Sequence, residues 1–245
     1  MELTYSSYLH LDHLLGLQEP RSSPPEHDEQ LFIVIHQTYE LWFKLLLHEF
    51  EKIGRDFETG ELWGAIHTFK RARTVMKTLV GQLDILETMT PTSFSSFRSR
   101  LDTASGFQST QFRELEFFLG YKRPNVLGYF KPETPGLDRL RRRLDEPSLL
   151  DRFWNFLQGR GLDLAREIQP QLIDLYKANP DLVILFELMT DFDEGLQEGR
   201  YRHVKLAERT IGDKSGTGGS TGVEFLKKTL FHPVFPDLWA IRRHL

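Results

Sequence analysis

The chain has 245 residues, of which 40% are hydrophobic and 27% charged, a composition typical of a folded globular protein. Its 31 Lys and Arg against 35 Asp and Glu give a net charge of -4, which argues against a polyanion such as nucleic acid as the main partner. The absence of cysteine excludes disulfides, zinc–thiolate sites, iron–sulfur clusters and cysteine nucleophiles, and leaves nine histidines as the main candidates for binding a metal or cofactor.

The N-terminal sequence MELTYSSYLHLDHLL carries Glu2 and Asp12 and lacks the basic start of a secretion signal. No apolar run approaches the roughly 20 residues that cross a bilayer. We therefore expect a cytoplasmic protein that does not contact membranes. His10 and His13 have the spacing that places two imidazoles on one face of a helix, a pattern that also occurs by chance. Because no second cluster converges on them, surface histidines are the favoured interpretation over a metal site.

Helical periodicity begins early in the chain. Across residues 28–50 the apolar side chains are so dense that this helix must be buried on most of its circumference. A second long helix carries the apolar positions of residues 62–83 and ends near Thr90 and Pro91. Thr92 and Ser93 are candidate caps for the helix that follows.

The second half of the chain continues the helical pattern. Spacing typical of a helix is interrupted at Gly106, resumes at residues 111–119 and ends at Gly120. Residues 135–157 suit one or two helices, and Pro180 precedes a long helix that reaches about Ile211. We find no series of strands, no repeat and no linker before the glycine-rich stretch near the C-terminus. The sequence therefore predicts a single all-α domain over residues 1–245.

The stretch IGDKSGTGGSTG, residues 211–222, contains five glycines. It is not a Walker loop, because none of its glycines precedes a lysine, and Thr221 stands where the dinucleotide motif requires its third glycine. Two interpretations remain. One is a flexible surface loop, and the other is a lid whose glycines let backbone amides approach a ligand while Thr217 offers a hydroxyl.

Two polar residues each lie one helical turn after a phenylalanine. His36 follows Phe32 in LFIVIHQTYELWFK, either as a core histidine satisfied by a neighbour or as the directional hydrogen-bonding group of an apolar ligand pocket. Arg98 follows Phe94 in SFSSFRSRL, either as a surface residue or as a buried fork paired with a carboxylate.

His203 lies on a helical stripe whose other members are apolar or small, namely Phe192, Leu196, Gly199, Leu206 and Ala207. These neighbours leave room for a flat macrocycle against the helix, which is consistent with proximal haem ligation. An ordinary core-facing histidine has the same spacing, so the pattern alone leaves both interpretations open.

Four segments of the chain carry a family resemblance. They read YSSYLHLDHLL, HDEQLFIVIHQTYELWFKLLLHE, SFSSFRSRLDTASGFQSTQFRELEFFLG and RHVKLAERTIGDKSGTGGSTGVEFLKK. Together they lie within about residues 5–50, 84–122 and 198–240, and in this order they resemble the tryptophan 2,3-dioxygenases, haem enzymes that open the indole ring. The resemblance implies a helical bundle that encloses haem b, one per subunit, with the glycine-rich loop as a substrate lid.

The resemblance also implies a homotetramer. Residues 1–20 would form an N-terminal segment in contact with a neighbouring subunit, and Tyr5, Tyr8 and Leu9 would enter the pocket of that subunit. His203 would be the axial ligand of the haem iron, and Ser105 would lie in the SGFQS turn near the haem edge.

The resemblance assigns five residues to the substrate. His36 would receive the indole N–H, Phe32 would form the aromatic wall beside it, and Phe94 stands where relatives carry phenylalanine or tyrosine. Arg98 would grip the substrate carboxylate, and Thr217 would contact its amino-acid end. The implied reaction inserts both atoms of O2 across the indole C2–C3 bond of L-tryptophan to give N-formyl-L-kynurenine, the first step of the kynurenine pathway.

Two alternatives stay open at this point. A related haem enzyme that acts on another indole or a phenol is disfavoured by the joint presence of His36, Arg98 and Thr217. A haem sensor or carrier without enzymatic activity requires His203 but has no use for a carboxylate clamp.

Overall fold

A computed structural model describes residues 3–214, 216 and 223–245, and this part of the chain contains helices and no strands, which confirms the all-α prediction. The α-helices are α1 Tyr5–Leu9, α2 Leu11–Leu14, α3 His27–Thr59, α4 Leu62–Leu86, α5 Pro91–Arg98, α6 Thr110–Leu119, α7 Leu137–Asp145, α8 Leu149–Gln158, α9 Ile168–Ala178, α10 Pro180–Ile211, α11 Val223–Lys227 and α12 Pro236–Ala240. Short 3₁₀ helices cover Ser99–Leu101, Gly106–Gln108, Pro124–Tyr129 and Ile241–His244. Thr217 lies outside the described residues. Within them, no helix has the length and apolar character needed to span a bilayer.

Three long helices, α3, α4 and α10, pack against one another and form the centre of the fold. Their fully buried phenylalanines include Phe50 of α3 and Phe192 of α10, whose rings meet edge to face at 4.9 Å between centroids. Gly195 lets α10 approach α4 closely, because a Cβ at this position would lie 3.0 Å from Cγ of Met76.

A second, smaller apolar cluster lies where α3, α4, α5 and α10 meet. Its buried members are Ile35, Leu83, Leu86, Met89, Phe94, Phe97 and Leu206. Tyr39 packs against both clusters, and its hydroxyl donates to the carbonyl oxygen of Leu79 at 2.7 Å. Burial raises the pKa of Tyr39 to about 12, so this hydroxyl keeps its proton and its bond between α3 and α4 at any ordinary pH.

The structure corrects two predicted boundaries of the N-terminal half. The first long helix extends beyond residues 28–50 and ends at Gly60, which adopts a φ of 79°. The predicted caps of the third helix are wrong. The hydroxyl of Thr90 accepts a hydrogen bond from the backbone N–H of Ser93 at 3.1 Å, and Pro91 is the first residue of α5. Proline suits that position because its missing N–H would be unsatisfied there in any case.

Several other predicted elements are confirmed. α6 covers the predicted residues 111–119 and ends at Gly120, and α10 begins at Pro180 and ends at Ile211. The region 135–157 holds two helices, α7 and α8.

The C-terminal segment is fastened to α10 by a buried carboxylate. Asp193 is fully buried, and its Oδ2 accepts hydrogen bonds from the backbone N–H groups of Val234 at 2.8 Å and Phe235 at 3.0 Å. The indole Nε1 of Trp239 donates to the same oxygen at 3.0 Å. Three donors from the segment that leads into and forms α12 therefore converge on one carboxylate of α10.

We expect Asp193→Ala to lower the free energy of unfolding by about 3–5 kcal/mol, because it leaves three buried donors without an acceptor. Urea unfolding followed by helical circular dichroism measures the change. Asp138→Ala is the matched control, since that carboxylate is exposed and pairs with Arg141, which is also exposed. The control should cost less than about 1 kcal/mol, and equal losses in the two variants would contradict the anchoring role of Asp193.

Candidate functional site

His36 is held in one tautomer by its own helix. Its Nδ1 lies 2.7 Å from the carbonyl oxygen of Phe32, and because a carbonyl only accepts, Nδ1 carries the proton and donates. The other ring nitrogen, Nε2, is then an acceptor. Burial lowers the pKa of His36, and it outweighs the opposing effects of the Phe32 carbonyl and of Glu40. The ring is therefore a neutral hydrogen-bond acceptor, poised one turn above an aromatic side chain.

Phenylalanines surround this imidazole on one side. The Phe32 ring lies 4.0 Å from the His36 ring between centroids, and it lies 5.8 Å from Phe94 and 5.7 Å from Phe97 of α5. Phe94 and Phe97 meet edge to face at 5.5 Å. The structure thus brings together three of the residues that the sequence singled out, on two helices that belong to the smaller apolar cluster.

Arg98 and Ser105 occupy the segment that follows. Arg98 is the last residue of α5, one turn after Phe94, and is half-buried. Ser105 caps the 3₁₀ helix Gly106–Gln108, where its hydroxyl accepts a hydrogen bond from the backbone N–H of Phe107 at 3.3 Å. The end of α5 therefore positions Arg98, the proposed substrate residue, and a capped turn positions Ser105, the proposed cofactor residue.

His203 on α10 faces the same region. Its side chain is accessible to solvent, yet enough protein surrounds the ring that burial lowers the pKa of His203 to about 4. A ring in the wall of a concave surface has both properties. The positive charge of Arg113 lowers this pKa further. α3 and α10 thus present two neutral imidazoles to one region.

Gly199 does not have the role that its sequence position suggested. It lies one turn before His203, and the stripe of small residues predicted room for a flat ligand there. A Cβ on Gly199 would lie 3.5 Å from Cγ2 of Val80, so this side of α10 packs against α4. The distance is an ordinary van der Waals contact, so the space beside Gly199 is taken up by α4.

α6 supplies charged residues that the sequence analysis missed. Arg113 is only 7% exposed, and its Nη1 lies 2.7 Å from Oε2 of Glu116. Its guanidinium carbon lies 4.6 Å from the centre of the Phe107 ring. Within the described residues its Nε is buried and has no hydrogen-bond partner. The sequence signal is the presence of Arg113, Glu114 and Glu116 among the apolar residues of TQFRELEFFL. In the structure all three are buried.

The pair His10 and His13 does not have the geometry of a shared helical face. His10 has a φ of 51° and separates α1 from α2, so the two imidazoles do not follow one continuous helix. Among the residues that the structure describes, no three His, Asp or Glu side chains are grouped to hold a metal ion. The metal interpretation of this pair gains no support.

The N-terminal residues assigned to a neighbouring subunit are exposed in a single chain. Tyr5 is 76% exposed, Tyr8 67% and Leu9 39%, and α1 buries none of its own residues. Side chains this exposed make few contacts within their own chain, so they are free to pack against a second subunit.

The residues at hand suit a haem. A neutral imidazole is the form that ligates iron, and His203 is kept neutral by its surroundings. The phenylalanine cluster around Phe32 suits a flat apolar ring system. The buried cation of Arg113, whose Nε lacks a partner in the described part of the chain, suits a group that carries negative charge at its edge.

Comparisons with known proteins show the family of the chain. The family model for tryptophan 2,3-dioxygenase matches residues 1–158 and 166–245, which extends the likeness across the middle of the chain. A tryptophan 2,3-dioxygenase of Herpetosiphon aurantiacus is 51% identical, over 99% of this chain and 98% of that protein. Those of Anaeromyxobacter dehalogenans and Rhodococcus jostii are 48% and 42% identical, over 98% and 99% of this chain and 95% and 92% of the relatives. The chain belongs to the tryptophan 2,3-dioxygenase family.

Proposed function

We infer that the chain is a haem-dependent dioxygenase that inserts both atoms of O2 across the indole C2–C3 bond of L-tryptophan. The product is N-formyl-L-kynurenine, which makes the reaction the first step of tryptophan catabolism by the kynurenine pathway. The observation that supports it best is the tautomer of His36. The Nδ1–H bond to Phe32 leaves Nε2 as an acceptor, and an indole N–H is the donor that such a group orients.

The cofactor is proposed to be haem b, one per subunit, with His203 as the axial ligand of the iron and Ser105 near its edge. When bound, the haem supplies the activation of dioxygen, which amino-acid side chains cannot perform. The protein then has to hold the indole at near-attack distance and exclude water. The smaller apolar cluster, to which Phe32 and Phe94 belong, provides the dry wall for that purpose.

His36 acts by orienting the indole ring and not by removing its proton. Indole N–H is a far weaker acid than imidazolium, and the lowered pKa of His36 makes the ring a still weaker base. A hydrogen bond from the indole N–H to Nε2 forms without any transfer of the proton. It fixes which edge of the indole ring faces the reaction centre.

Arg98 grips the substrate carboxylate in this proposal, because a planar fork holds a carboxylate by two charge-assisted hydrogen bonds. Phe94 lies one turn before it on α5 and is buried in the smaller apolar cluster. Thr217, which lies outside the described residues, remains the predicted contact for the amino-acid end of the substrate, within the loop predicted to be a lid.

The assembly is proposed to be a homotetramer in which Tyr5, Tyr8 and Leu9 complete the pocket of a neighbouring subunit. Their exposure in a single chain supports this. A cytoplasmic location stays a prediction of the sequence.

The activity is tested by mixing the haem-loaded protein with L-tryptophan under ¹⁸O2 and analysing the product by mass spectrometry. We expect N-formyl-L-kynurenine that carries two labelled oxygen atoms. A single labelled atom would indicate a monooxygenase acting on an indole, and a haem spectrum without any product would indicate a sensor or carrier.

We expect His203→Ala to lose stable haem while keeping its helical circular dichroism, because it removes one ligand from a helix that otherwise packs as ordinary core. The Soret absorbance per protein chain measures the loss. His48→Ala is the control, since His48 is an exposed histidine of α3. Stoichiometric haem with an unchanged Soret band in His203→Ala would show that another residue ligates the iron.

We expect His36→Ala to bind haem normally and to lose about 5- to 100-fold in kcat/KM for L-tryptophan, the cost of one buried hydrogen bond. The wild type should discriminate against 1-methyl-L-tryptophan, which lacks the N–H, and the variant should discriminate less. Because the pKa of His36 is lowered, its neutral form persists below the ordinary histidine range. KM of the wild type should therefore be flat from neutral pH down to about 6.5. A steep rise of KM over this interval would contradict the neutral acceptor.

We expect Arg98→Leu to raise KM for L-tryptophan and to abolish the preference for L-tryptophan over tryptamine, which lacks the carboxylate. The loss should be about 2–5 kcal/mol in kcat/KM, because the substrate carboxylate would be buried without its partner. Arg100→Leu, two residues away and exposed, serves as the control. An unaltered ratio of the two substrates in Arg98→Leu would place the carboxylate elsewhere.

A further inference from the structure

One buried carboxylate is shared by three arginines from different parts of the chain. Oε2 of Glu116 lies 2.7 Å from Nη1 of Arg113 and 2.6 Å from Nη2 of Arg123, and its Oε1 lies 3.5 Å from Nη2 of Arg200. The side chains of Glu116, Arg113 and Arg200 are 3%, 8% and 7% exposed. Even with the buried Asp193, whose charge also acts on Arg200, two negative charges face three positive ones where water is largely excluded, and such an excess favours a further anion.

Two of the three arginines have other means of support. Arg200 donates to the carbonyl oxygens of His232 at 2.8 Å and Thr229 at 3.3 Å, and the charge of Asp193 also acts on it. Arg123 is 19% exposed at its side chain and is therefore partly hydrated. Arg113 is the member of this cluster whose compensation is least complete.

The polar contact of Arg113 in the described part of the chain is the shared carboxylate of Glu116. Beyond it, the guanidinium lies against the faces of Phe107 at 4.6 Å and Phe112 at 5.3 Å. Its Nε is buried without a hydrogen-bond partner in the described residues, as are those of Arg123 and Arg200, so the distinction of Arg113 rests on its lack of the carbonyl contacts of Arg200 and of the hydration of Arg123. An aromatic face attracts a cation but does not accept the directional hydrogen bonds of a guanidinium fork as an anion does.

The position of Arg113 relative to His203 indicates where the missing anion lies. The contact between Glu116 and Arg200 joins α6 to α10. Arg113 precedes Glu116 by one turn of α6, and His203 follows Arg200 by one turn of α10. The guanidinium of Arg113 also packs on the ring of Phe107, in the turn that Ser105 caps. It therefore lies against both the turn of Ser105 and the carboxylate that joins α6 to α10 one turn before His203.

We propose that Arg113 pairs with a propionate carboxylate of the haem that His203 ligates, an inference that rests on the proposed function. Haem has apolar edges and carries its two carboxylates on one edge, so a buried arginine near the axial ligand selects which edge turns toward α6. Glu116 holds the guanidinium in place before the cofactor binds, and this preorganisation lowers the cost of forming the pair. Arg113 is thereby a residue that positions the cofactor, and it is distinct from Arg98, which is proposed to bind the substrate.

The test compares haem with its dimethyl ester, in which both propionates are neutral. Haem-free protein is titrated with each compound and the Soret band gives both dissociation constants, without any measurement of activity. Wild-type protein should prefer haem by roughly tenfold or more, the scale of one charge-assisted hydrogen-bonded pair. In Arg113→Met the preference should fall below about threefold. A variant that merely loosens the fold would lose affinity for both compounds equally and keep their ratio.

Arg123→Met is the matched control, because it removes another arginine from the same carboxylate of Glu116 and should leave the preference unchanged. If Arg113→Met does not fold, Arg113→Lys, which keeps the charge and loses the fork, should still reduce the preference by about threefold. Helical circular dichroism establishes folding for each variant. An unchanged preference in a folded Arg113 variant would overturn the proposal, as would an equal loss in Arg123→Met.

Two further outcomes separate the possible failures. If the wild-type protein binds neither compound, the proposed function itself fails. If Arg113→Met keeps the preference for haem over its ester but loses the preference for L-tryptophan over tryptamine, the carboxylate that Arg113 binds belongs to the substrate, and the cofactor assignment is wrong.

Discussion

The fold depends on the two opposite charges that α10 buries seven residues apart. Asp193 accepts hydrogen bonds from the backbone N–H groups of Val234 and Phe235 in the C-terminal segment. Arg200 donates to the carbonyl oxygens of Thr229 and His232, which lie just before those residues in the chain. Both charges are satisfied only when that segment crosses α10 in one register. A buried charge without partners costs far more free energy than a lost apolar contact. This register is therefore the feature of the fold that tolerates least change. The rotation of α10 is thereby set, and His203 is carried on the turn that follows Arg200.

A second consequence concerns the chemistry of the two histidines. Among the described residues, no carboxylate forms a hydrogen bond or ion pair with either imidazole, the usual means of raising the basicity of a histidine. His36 is oriented by a backbone carbonyl of its own helix, and the surroundings of His203 lower its pKa. Both rings are therefore neutral near physiological pH, one with an acceptor nitrogen available for a donor and the other in the protonation state that metals require. The protein obtains this from burial and helix geometry, and burial outweighs the opposing charge of Glu40 at His36.

Local patterns in the sequence predicted the long helices and three of the residues that the structure brings together. Apolar periodicity over more than twenty residues is decisive for α3 and α10, and His36, Phe32 and Phe94 are one helical turn from conspicuous neighbours. The cap of α5 was misplaced because Thr90, Thr92 and Ser93 are all acceptable capping residues, and the choice depends on Pro91 entering the first turn. The space attributed to Gly199 was misjudged because periodicity gives the face of a helix and not what packs against it.

Arg113 could not be predicted in this way, because its meaning arises only when separate segments meet. In the sequence it is one charge among several in an apolar helix. In the structure, Glu116 of the same helix also receives Arg123 and Arg200, and the count of charges becomes unbalanced. An apolar site that must accept a ligand with carboxylates at one edge needs cations already desolvated and fixed before the ligand arrives. In the proposed site Arg113 meets that need, because Glu116 holds its guanidinium in a buried position against the rings of Phe107 and Phe112.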